Sequence, residues 1–592
     1  MASGVTPRPR RSSGRSLGAG LAIALAIAVA GCAPSATTVP PSPASSSASS
    51  GASSPSGSGA VAGSPGLATT VAAPTCPPIP PLAPPPAPPP NGLPGWWADR
   101  VFYEVFVRSF DDSDGDGVGD LRGVIDKLDY LNDGDPATTS DLGVTGLWLM
   151  PTFPSPSYHG YDVTDYRSVN PDYGSLADMR ALVAAAHKRG IAVILDLPLN
   201  HTSNKDPWFL ESEKPDSAKA DWYVWSSSPQ GSDWFPDGDR YYYAAFGADM
   251  PDLNVTDPAV TAELTADARF WIHDVGVDGF RLDAAKYLVE DGPTTQNTPE
   301  THAWWHTFRT AMEATEPGAL LVGEVWDTPQ NSSSYVPDDL DMTFDFALAS
   351  GYVIAAQSGD GSSLAKLLGK VTTLYPSDGF GAFLTNHDMD RVASQLGGDP
   401  AELKLAAGLL LTGPGVPFLY YGEEIGMTGA KPDERIRTPM RWDTSAPAAG
   451  FSSHAPWETL SGDPPAINVA TEAADPGSVW STYRDLIRLR ATHPALAEGT
   501  YVPVASDSPA VVAAIRHSPT ETDLVLANVS AAPVTPTLTL AAGPLCGSPT
   551  AEPVLGVDAA TAPAVTATGG FTAYRPVASI PARSVVVIVL GS

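Results

Sequence analysis

Eight short apolar runs, spaced by stretches of helical pattern, limit what this chain can fold into more than any other feature. They are VFYEVFVRSF (101–110), TGLWLMP (145–151), IAVILDLPLN (191–200), VDGFRLDA (277–284), ALLVGEVW (319–326), LDMTFDFAL (340–348), FGAFLTNHD (380–388) and GVPFLYYGEE (415–424). Helix-like stretches lie between most of them, such as SLADMRALVAAAHKRG (175–190) and AVTAELTADARFWIHDVG (259–276), and STYRDLIRLRATHPAL (481–496) follows the last. Short buried strands alternating with helices are the pattern of parallel βα units. Eight of them predict an α/β fold, a (β/α)8 TIM barrel whose βα loops gather at one rim. An open doubly wound sheet is the alternative, and no G-x-G-x-x-G loop follows a strand to favour it.

Two gaps break the regular spacing. Residues 201–255, rich in Trp and Tyr, predict a domain B inserted after the third strand, and 425–480 a long loop after the eighth. Residues 497–592 change to short β-type runs such as DLVLANVS and SVVVIVL, which predict a C-terminal antiparallel β-sandwich domain. The expected division is a barrel in two parts, 96–200 and 256–496, with domain B at 201–255 and the C-terminal β domain at 497–592.

The first 95 residues have a different character. Arg8, Arg10, Arg11 and Arg15 precede the apolar run LGAGLAIALAIAVAGC. That order is a secretion signal, and the run is short of the roughly 20 residues of a membrane span. Val29-Ala30-Gly31-Cys32 resembles the bacterial lipobox. The resemblance implies a signal peptide over 1–31, lipidation of Cys32 and an extracytoplasmic protein lipid-anchored to the bacterial cell membrane or surface. Residues 32–95, dense in Ser, Ala and Pro, cannot bury enough apolar surface to order themselves and read as a tether. Of the other cysteines, Cys76 lies in the tether and Cys546 near the C-terminus. Pairing and two free thiols are both open. Acids number 66 against 34 Lys plus Arg, a net charge of −32, which excludes nucleic acid as a partner. The membrane is expected as a partner through the lipid alone, and the protein as a monomer.

Four of the apolar runs end in polar groups. The third gives Asp196 and Asn200-His201, the fourth Arg281 and Asp283, the fifth Glu324, the seventh Asn386-His387-Asp388. In a barrel these ends converge on one rim. Arg281 and Asp283, two apart on a strand, share a face, and the guanidinium is expected to keep the carboxylate ionised. Any one of them reads as an ordinary salt-bridged strand end; four together read as a site. Carboxylates and histidines without a Cys/His zinc pattern suit acid–base and covalent chemistry on a polyol, of which glycoside hydrolysis with two carboxylates is the prime case.

GFRLDAAKY (279–287), GEVW (323–326), DLPLNH (196–201) and FLTNHD (383–388) resemble the four diagnostic motifs of the alpha-amylase family, glycoside hydrolase family 13. GVTGLWLMP (143–151), MPDLN (250–254) and GVPFLYYGEE resemble its accessory motifs. The resemblance covers residues 96–590 and implies an α-glucan or malto-oligosaccharide substrate. By the motifs Asp283 is the nucleophile, Glu324 the general acid and then base, and Asp388 the third carboxylate, holding sugar hydroxyls and raising the pKa of Glu324. Arg281 orients Asp283; His201 and His387 donate to the sugar; Tyr161 stacks beneath it; Lys286 and Tyr287 face the leaving group.

The acidic stretch DDSDGDGVGDLRG (111–123) begins like an EF-hand loop, but Gly123 stands where the closing Glu belongs. It resembles the family's calcium loop after strand one. That implies structural Ca²⁺ on Asp112, Asp114, Asp116, the Val118 carbonyl and Asp120. Exo-acting family members usually have Asp three residues before the pocket tyrosine; here Tyr158 stands there, which resembles the open-cleft alpha-amylases. MPDLN resembles the group between oligo-1,6-glucosidases and neopullulanases. The expectation is a retaining endo-acting alpha-amylase cutting α-1,4 bonds. An alpha-glucosidase or oligo-1,6-glucosidase, cyclomaltodextrinase or transglycosylase is the nearest alternative, and a sugar-binding lipoprotein on an inactive barrel, or an adhesion protein, the alternative of another class. Exposed aromatics over 208–246 (Trp222, Trp225, Trp234, Tyr241, Tyr242, Tyr243) suit glucose stacking or domain packing equally.

Overall fold

The computed structural model describes residues 74–76 and 95–591. The signal peptide, Cys32 and most of the tether expected from the sequence lie outside the described residues. All eight apolar runs form strands of one closed parallel barrel: β1 (Phe102–Val105), β2 (Gly146–Leu149), β3 (Ala192–Pro198), β4 (Gly279–Asp283), β5 (Leu320–Gly323), β6 (Met342–Phe344), β7 (Phe380–Phe383) and β8 (Val416–Tyr420). Each pairs with its chain neighbours, and β1 closes on β8 with Phe102 opposite Phe418. The strands are apolar on both faces because both are covered. Leu147, Val193, Leu195, Phe280 and Leu321 face the helices outside, while Phe102, Trp148, Ile194, Val322, Phe344 and Phe418 fill the interior. Gly279 is needed at its position: a Cβ there would come within 2.3 Å of the Leu320 carbonyl on the neighbouring strand.

The predicted helical stretches form helices at Leu176–His187, Pro258–Arg269 and Val479–Thr492. The first has a reciprocal capping box between Ser175 and Asp178, which satisfies backbone N–H groups the helix leaves unpaired. Between β3 and β4 lies a small antiparallel sheet of Trp225–Ser226, Trp234–Asp237 and Arg240–Tyr243. Its aromatics pack around Phe209, with ring centroids of Tyr223, Trp225 and Tyr242 at 5.1, 5.6 and 5.0 Å. Trp222, Tyr242 and Tyr243 are buried, so of the two roles open to them from sequence, packing is the one they take.

After the barrel, seven antiparallel strands follow. Thr500–Ser506 joins their two parts. Its first five residues pair with the strand Val511–His517, its last two with the strand Leu538–Leu540. Ile515, Leu524, Leu526, Leu538, Phe571 and Ile588 share the core of this domain. Cys76 and Cys546 form a disulfide with a Cα–Cα distance of 5.0 Å, which settles a pairing the sequence left open.

Two buried arginines lock this domain to the barrel. Arg490 donates to the carbonyls of Leu411, Gly413, Gly415 and Ala497 at 2.7–3.1 Å. Arg516 donates to Gly413, and to Leu496 and Gly499 at 2.9 and 3.0 Å. The helix Pro400–Thr412 ends there with carbonyls that have no helical partner, and a cation at a helix C-terminus meets its dipole favourably. Arg490→Leu should therefore orphan several buried carbonyls and cost at least about 3 kcal/mol. Urea denaturation against the parent checks this, and a loss of only a few tenths would mean water replaces the guanidinium.

Candidate active site

Period-two alternation along the strands carries apolar side chains into the barrel and charges to its rim. Phe102 is followed on its face by Glu104, Ile194 by Asp196 and Val322 by Glu324, and on β4 the same face carries Arg281 and Asp283. Asp196 is the register partner of Arg281, which in turn lies opposite Val322. Fold topology, and not chance, gathers these groups.

Arg281 is the hub. Its guanidinium is 1% exposed. Nη1 lies 2.8 Å from Asp196 Oδ1 and 2.8 Å from Asp283 Oδ1, and Nη2 lies 2.7 Å from Glu324 Oε2. One side chain thus touches the predicted nucleophile, the predicted acid and a third buried carboxylate. Tyr161 donates its hydroxyl to Asp196 Oδ2 at 2.9 Å and stands 2.6 Å from His387 Nε2. A second cluster adjoins the first. His387 Nδ1 is 2.5 Å from Glu104, and Nε2 is 3.2 Å from Asp388. Arg437 donates to the other Asp388 oxygen at 2.8 Å and to the His387 carbonyl at 2.9 Å.

The charges divide these carboxylates. Burial pushes Asp283 up to about 6, against the pull of Arg281. Arg281 favours the ionised form as expected, while desolvation, with Asp196 and Asp388, works against it. Glu324 is also raised, first by burial and then by Asp283 and Asp388, with Arg281 opposing. Asp388 goes the other way. Burial would raise it, but His387, with Arg437 and Arg281, holds it well below the usual carboxylate range. His387 is pushed up to about 9; burial lowers it, and Asp388 and Glu104 outweigh burial. Two carboxylates pushed upward by burial thus face one held low by its cations.

The remaining predicted residues fall around this centre. His201 is buried, and burial pushes it down to about 4, so its imidazole is neutral. Its Nε2 has no protein partner, whereas both nitrogens of His387 are engaged. Of the two histidines expected to donate to a sugar, His201 is therefore the one with a free ring nitrogen. Lys286 donates to the Trp326 carbonyl at 2.7 Å and pairs with Asp327 at 3.6 Å. Tyr287 meets Phe246 edge-on at 5.4 Å, and Phe246 lies 5.3 Å from His201. Phe246 and Trp326, 42% and 46% exposed, leave two open aromatics beside these residues.

Two members of the site were not singled out from sequence. Glu104 had a signal: a carboxylate inside a buried strand is costly without a partner, and that partner is His387. Arg437 had none, since it comes from the long loop after β8 and reaches Asp388 only through the fold.

In the acidic loop, carboxylate oxygens of Asp112, Asp114 and Asp116 lie within 4.8 Å of one another. Asp112 also accepts the N–H groups of Gly115 and Gly117 at 2.7 and 2.8 Å. Asp120 makes bonds of its own within the loop. Its carboxylate accepts from Ser113 and from the N–H of Gly123, capping the helix Leu121–Asp126. The loop is tied to the cleft: the Gly117 carbonyl accepts the N–H of Trp457 at 2.8 Å, and the Trp457 ring stacks on Tyr158 at 5.2 Å.

Residues 104–499 match the family model described as "Alpha amylase, catalytic domain". "Alpha-amylase 3" of Dictyoglomus thermophilum is 41% identical over 414 residues, covering 68% of this chain and 79% of that protein. "Trehalose synthase/amylase TreS" of Mycolicibacterium smegmatis is 34% identical, with 71% and 80% covered. The crystal structure of an alpha-amylase from H. orenii superposes with a TM-score of 0.69 at 37% identity, covering 83% of this chain and 99% of that one. A closed (β/α)8 barrel with paired acids at its rim is an architecture of glycoside hydrolases. The chain belongs to the alpha-amylase family.

Because Arg281 pulls down both Asp283 and Glu324, Arg281→Gln should raise both. The acidic limb of the kcat/KM profile, expected near the Asp283 value of about 6, should move to higher pH. A pH profile with an unmoved acidic limb would show that the guanidinium does not set these charges.

Proposed function

We propose that the protein is a retaining, endo-acting α-amylase that hydrolyses α-1,4-glucosidic bonds of starch and maltodextrins. The observation that carries the reading is the single guanidinium in contact with both Asp283 and Glu324. It confines the two carboxylates to the span of one side chain. Retention needs the pair close, about 5–5.5 Å apart, whereas inversion leaves room for a water at about 6.5–9.5 Å.

In this reading Asp283, ionised, attacks the anomeric carbon as Glu324 gives its proton to the glycosidic oxygen. The leaving chain departs with that proton, and a covalent glycosyl-enzyme remains. Glu324, now a carboxylate, takes a proton from water, which attacks the same carbon and releases Asp283. Two inversions give net retention. Asp388, kept ionised by His387 and Arg437, accepts from sugar hydroxyls. The neutral His201 gives its Nδ1–H to Asn200 Oδ1, so its bare Nε2 accepts from a sugar hydroxyl; Tyr161 supports the ring, and Lys286 and Tyr287 lie towards the leaving group.

Tyr158 supports endo cleavage. An exo-acting site ends in a charged wall, but position 158 supplies no carboxylate. Its ring lies between Phe106 and Trp457, and the nearby Arg437 is paired with Asp388 and Asp433 instead. The relative named trehalose synthase/amylase keeps transfer to a second sugar as the competing reading. The acidic loop suits structural Ca²⁺: Asp112, Asp114 and Asp116 offer clustered oxygens only, with the Val118 carbonyl and Asp120 completing the proposed set. The ion would brace the loop that seats Trp457. Lipidation at Cys32 would hold the enzyme outside the membrane.

Early products of maltoheptaose, resolved by chain length, test the reading. Maltose, maltotriose and maltotetraose with little glucose are expected. Glucose plus maltohexaose from the start would mean exo cleavage, and products longer than the substrate would mean transfer. Glu324→Gln should lower kcat by about 10²–10⁴-fold with the fold intact. EDTA should lower the melting temperature, and Ca²⁺ but not Mg²⁺ should restore it; an unchanged melting temperature would remove the calcium assignment.

A further inference from the structure

A second cluster of ligating side chains lies far from the barrel mouth in sequence, where the barrel's last long helix meets the C-terminal domain. His493 follows the helix Val479–Thr492, Glu521 lies in the turn before the strand Thr522–Asn528, and Asp523 is the second residue of that strand. A ligand atom from each lies within 4.8 Å of the others. His493 Nδ1 is 3.0 Å from Glu521 Oε1. That is a few tenths of an ångström short of the edge of a tetrahedron with bonds of about 2.0–2.1 Å.

Asp523 is the independent sign that something belongs between them. It is fully buried, and neither of its carboxylate oxygens has a hydrogen-bond partner. A buried carboxylate normally finds a donor or a counter-ion. Arg516, its register partner on the neighbouring strand, directs both terminal nitrogens to main-chain carbonyls instead. We propose that His493, Glu521 and Asp523 bind a divalent transition-metal ion, of which Zn²⁺ is the type, at the junction of barrel and C-terminal domain. One imidazole nitrogen and two carboxylates make a ligand set that Zn²⁺ accepts. It differs from the oxygen-only loop of Asp112–Asp116, so the two sites should take different ions.

Access is built in. Glu521 also lines a cavity of about 260 Å³ that His517, Ser518, Thr520 and the Cys76–Cys546 disulfide complete. His493 and Glu521 are each partly open, with side chains 17% and 18% exposed, so water can fill the remaining coordination positions. In this assignment the metal joins a barrel helix to a C-terminal hairpin, and its role is to hold the two together.

The test uses the full chain, freed of metal and kept in saturating Ca²⁺, titrated calorimetrically with Zn²⁺ and with Co²⁺ read by visible absorption. The parent should bind one equivalent more tightly than His493→Gln by at least about tenfold. Zn²⁺ should raise the melting temperature of the parent and not of the variant, and hydrolysis of starch should be the same in both. Asp523→Asn should also lose the ion; should that variant fail to fold, Glu521→Gln, at a partly open position, takes its place. Equal Zn²⁺ binding by parent and His493→Gln, or none by the parent, would overturn the proposal and leave Asp523 and Glu521 as two acids sharing a proton.

Discussion

Everything at the barrel mouth depends on one buried guanidinium. Arg281 could not stay in the interior unpaired, since removing a cation from water costs several kcal/mol. The barrel supplies the compensation through register: β3 sets Asp196 beside it, β4 places Asp283 two residues on, and Glu324 follows β5. The counter-charges stand on or next to three adjacent strands of a closed sheet, whose register fixes their backbone positions. That rigidity is what a site with developing charge requires, because dipoles already in place need not reorganise during reaction.

The charge count then explains the protonation pattern. Glu104, Asp196, Asp283, Glu324 and Asp388 are five carboxylates, and Arg281, Arg437 and the raised His387 are three cations. A buried cluster with that excess of negative charge must take up protons or leave its carboxylates poorly stabilised. The cations are unevenly shared. Asp388 has two of them in contact, while Asp283 and Glu324 share Arg281 with Asp196. Burial therefore raises Asp283 and Glu324 while Asp388 is held low, the division the proposed acid and nucleophile roles call for.

The fold and the core of this site were legible for one reason. Parallel strands covered on both faces leave continuous apolar runs, and a charge at the end of such a run stands out. Arg281, Asp283, Glu324 and Asp388 were found that way. What was missed came from longer range. Arg437 sits on the loop after β8, 49 residues beyond Asp388, and nothing local marks it. The disulfide joins residues 470 apart and had no sequence signal beyond the number of cysteines. A pairwise argument, one Arg beside one Asp, gives the pull of Arg281 on Asp283 but omits the burial and the neighbouring Asp196 and Asp388 that oppose it.

The same division separates reaction from specificity. The groups proposed to break the bond stand on or next to barrel strands, where register holds them, so they can be read from short motifs. The surfaces that choose a substrate stand on loops. Tyr158 packs between Phe106 and Trp457, and Trp457 is seated by the acidic loop through Gly117. Gly117 has φ +98°, and a Cβ there would come within 2.4 Å of the Ala455 carbonyl, so the two loops close on each other only with glycine at that point. A change anywhere along this chain of contacts can reshape the cleft without touching Asp283 or Glu324. Relatives of this chain that differ in named activity are therefore what such an architecture permits: one set of strand ends, and different loops above it.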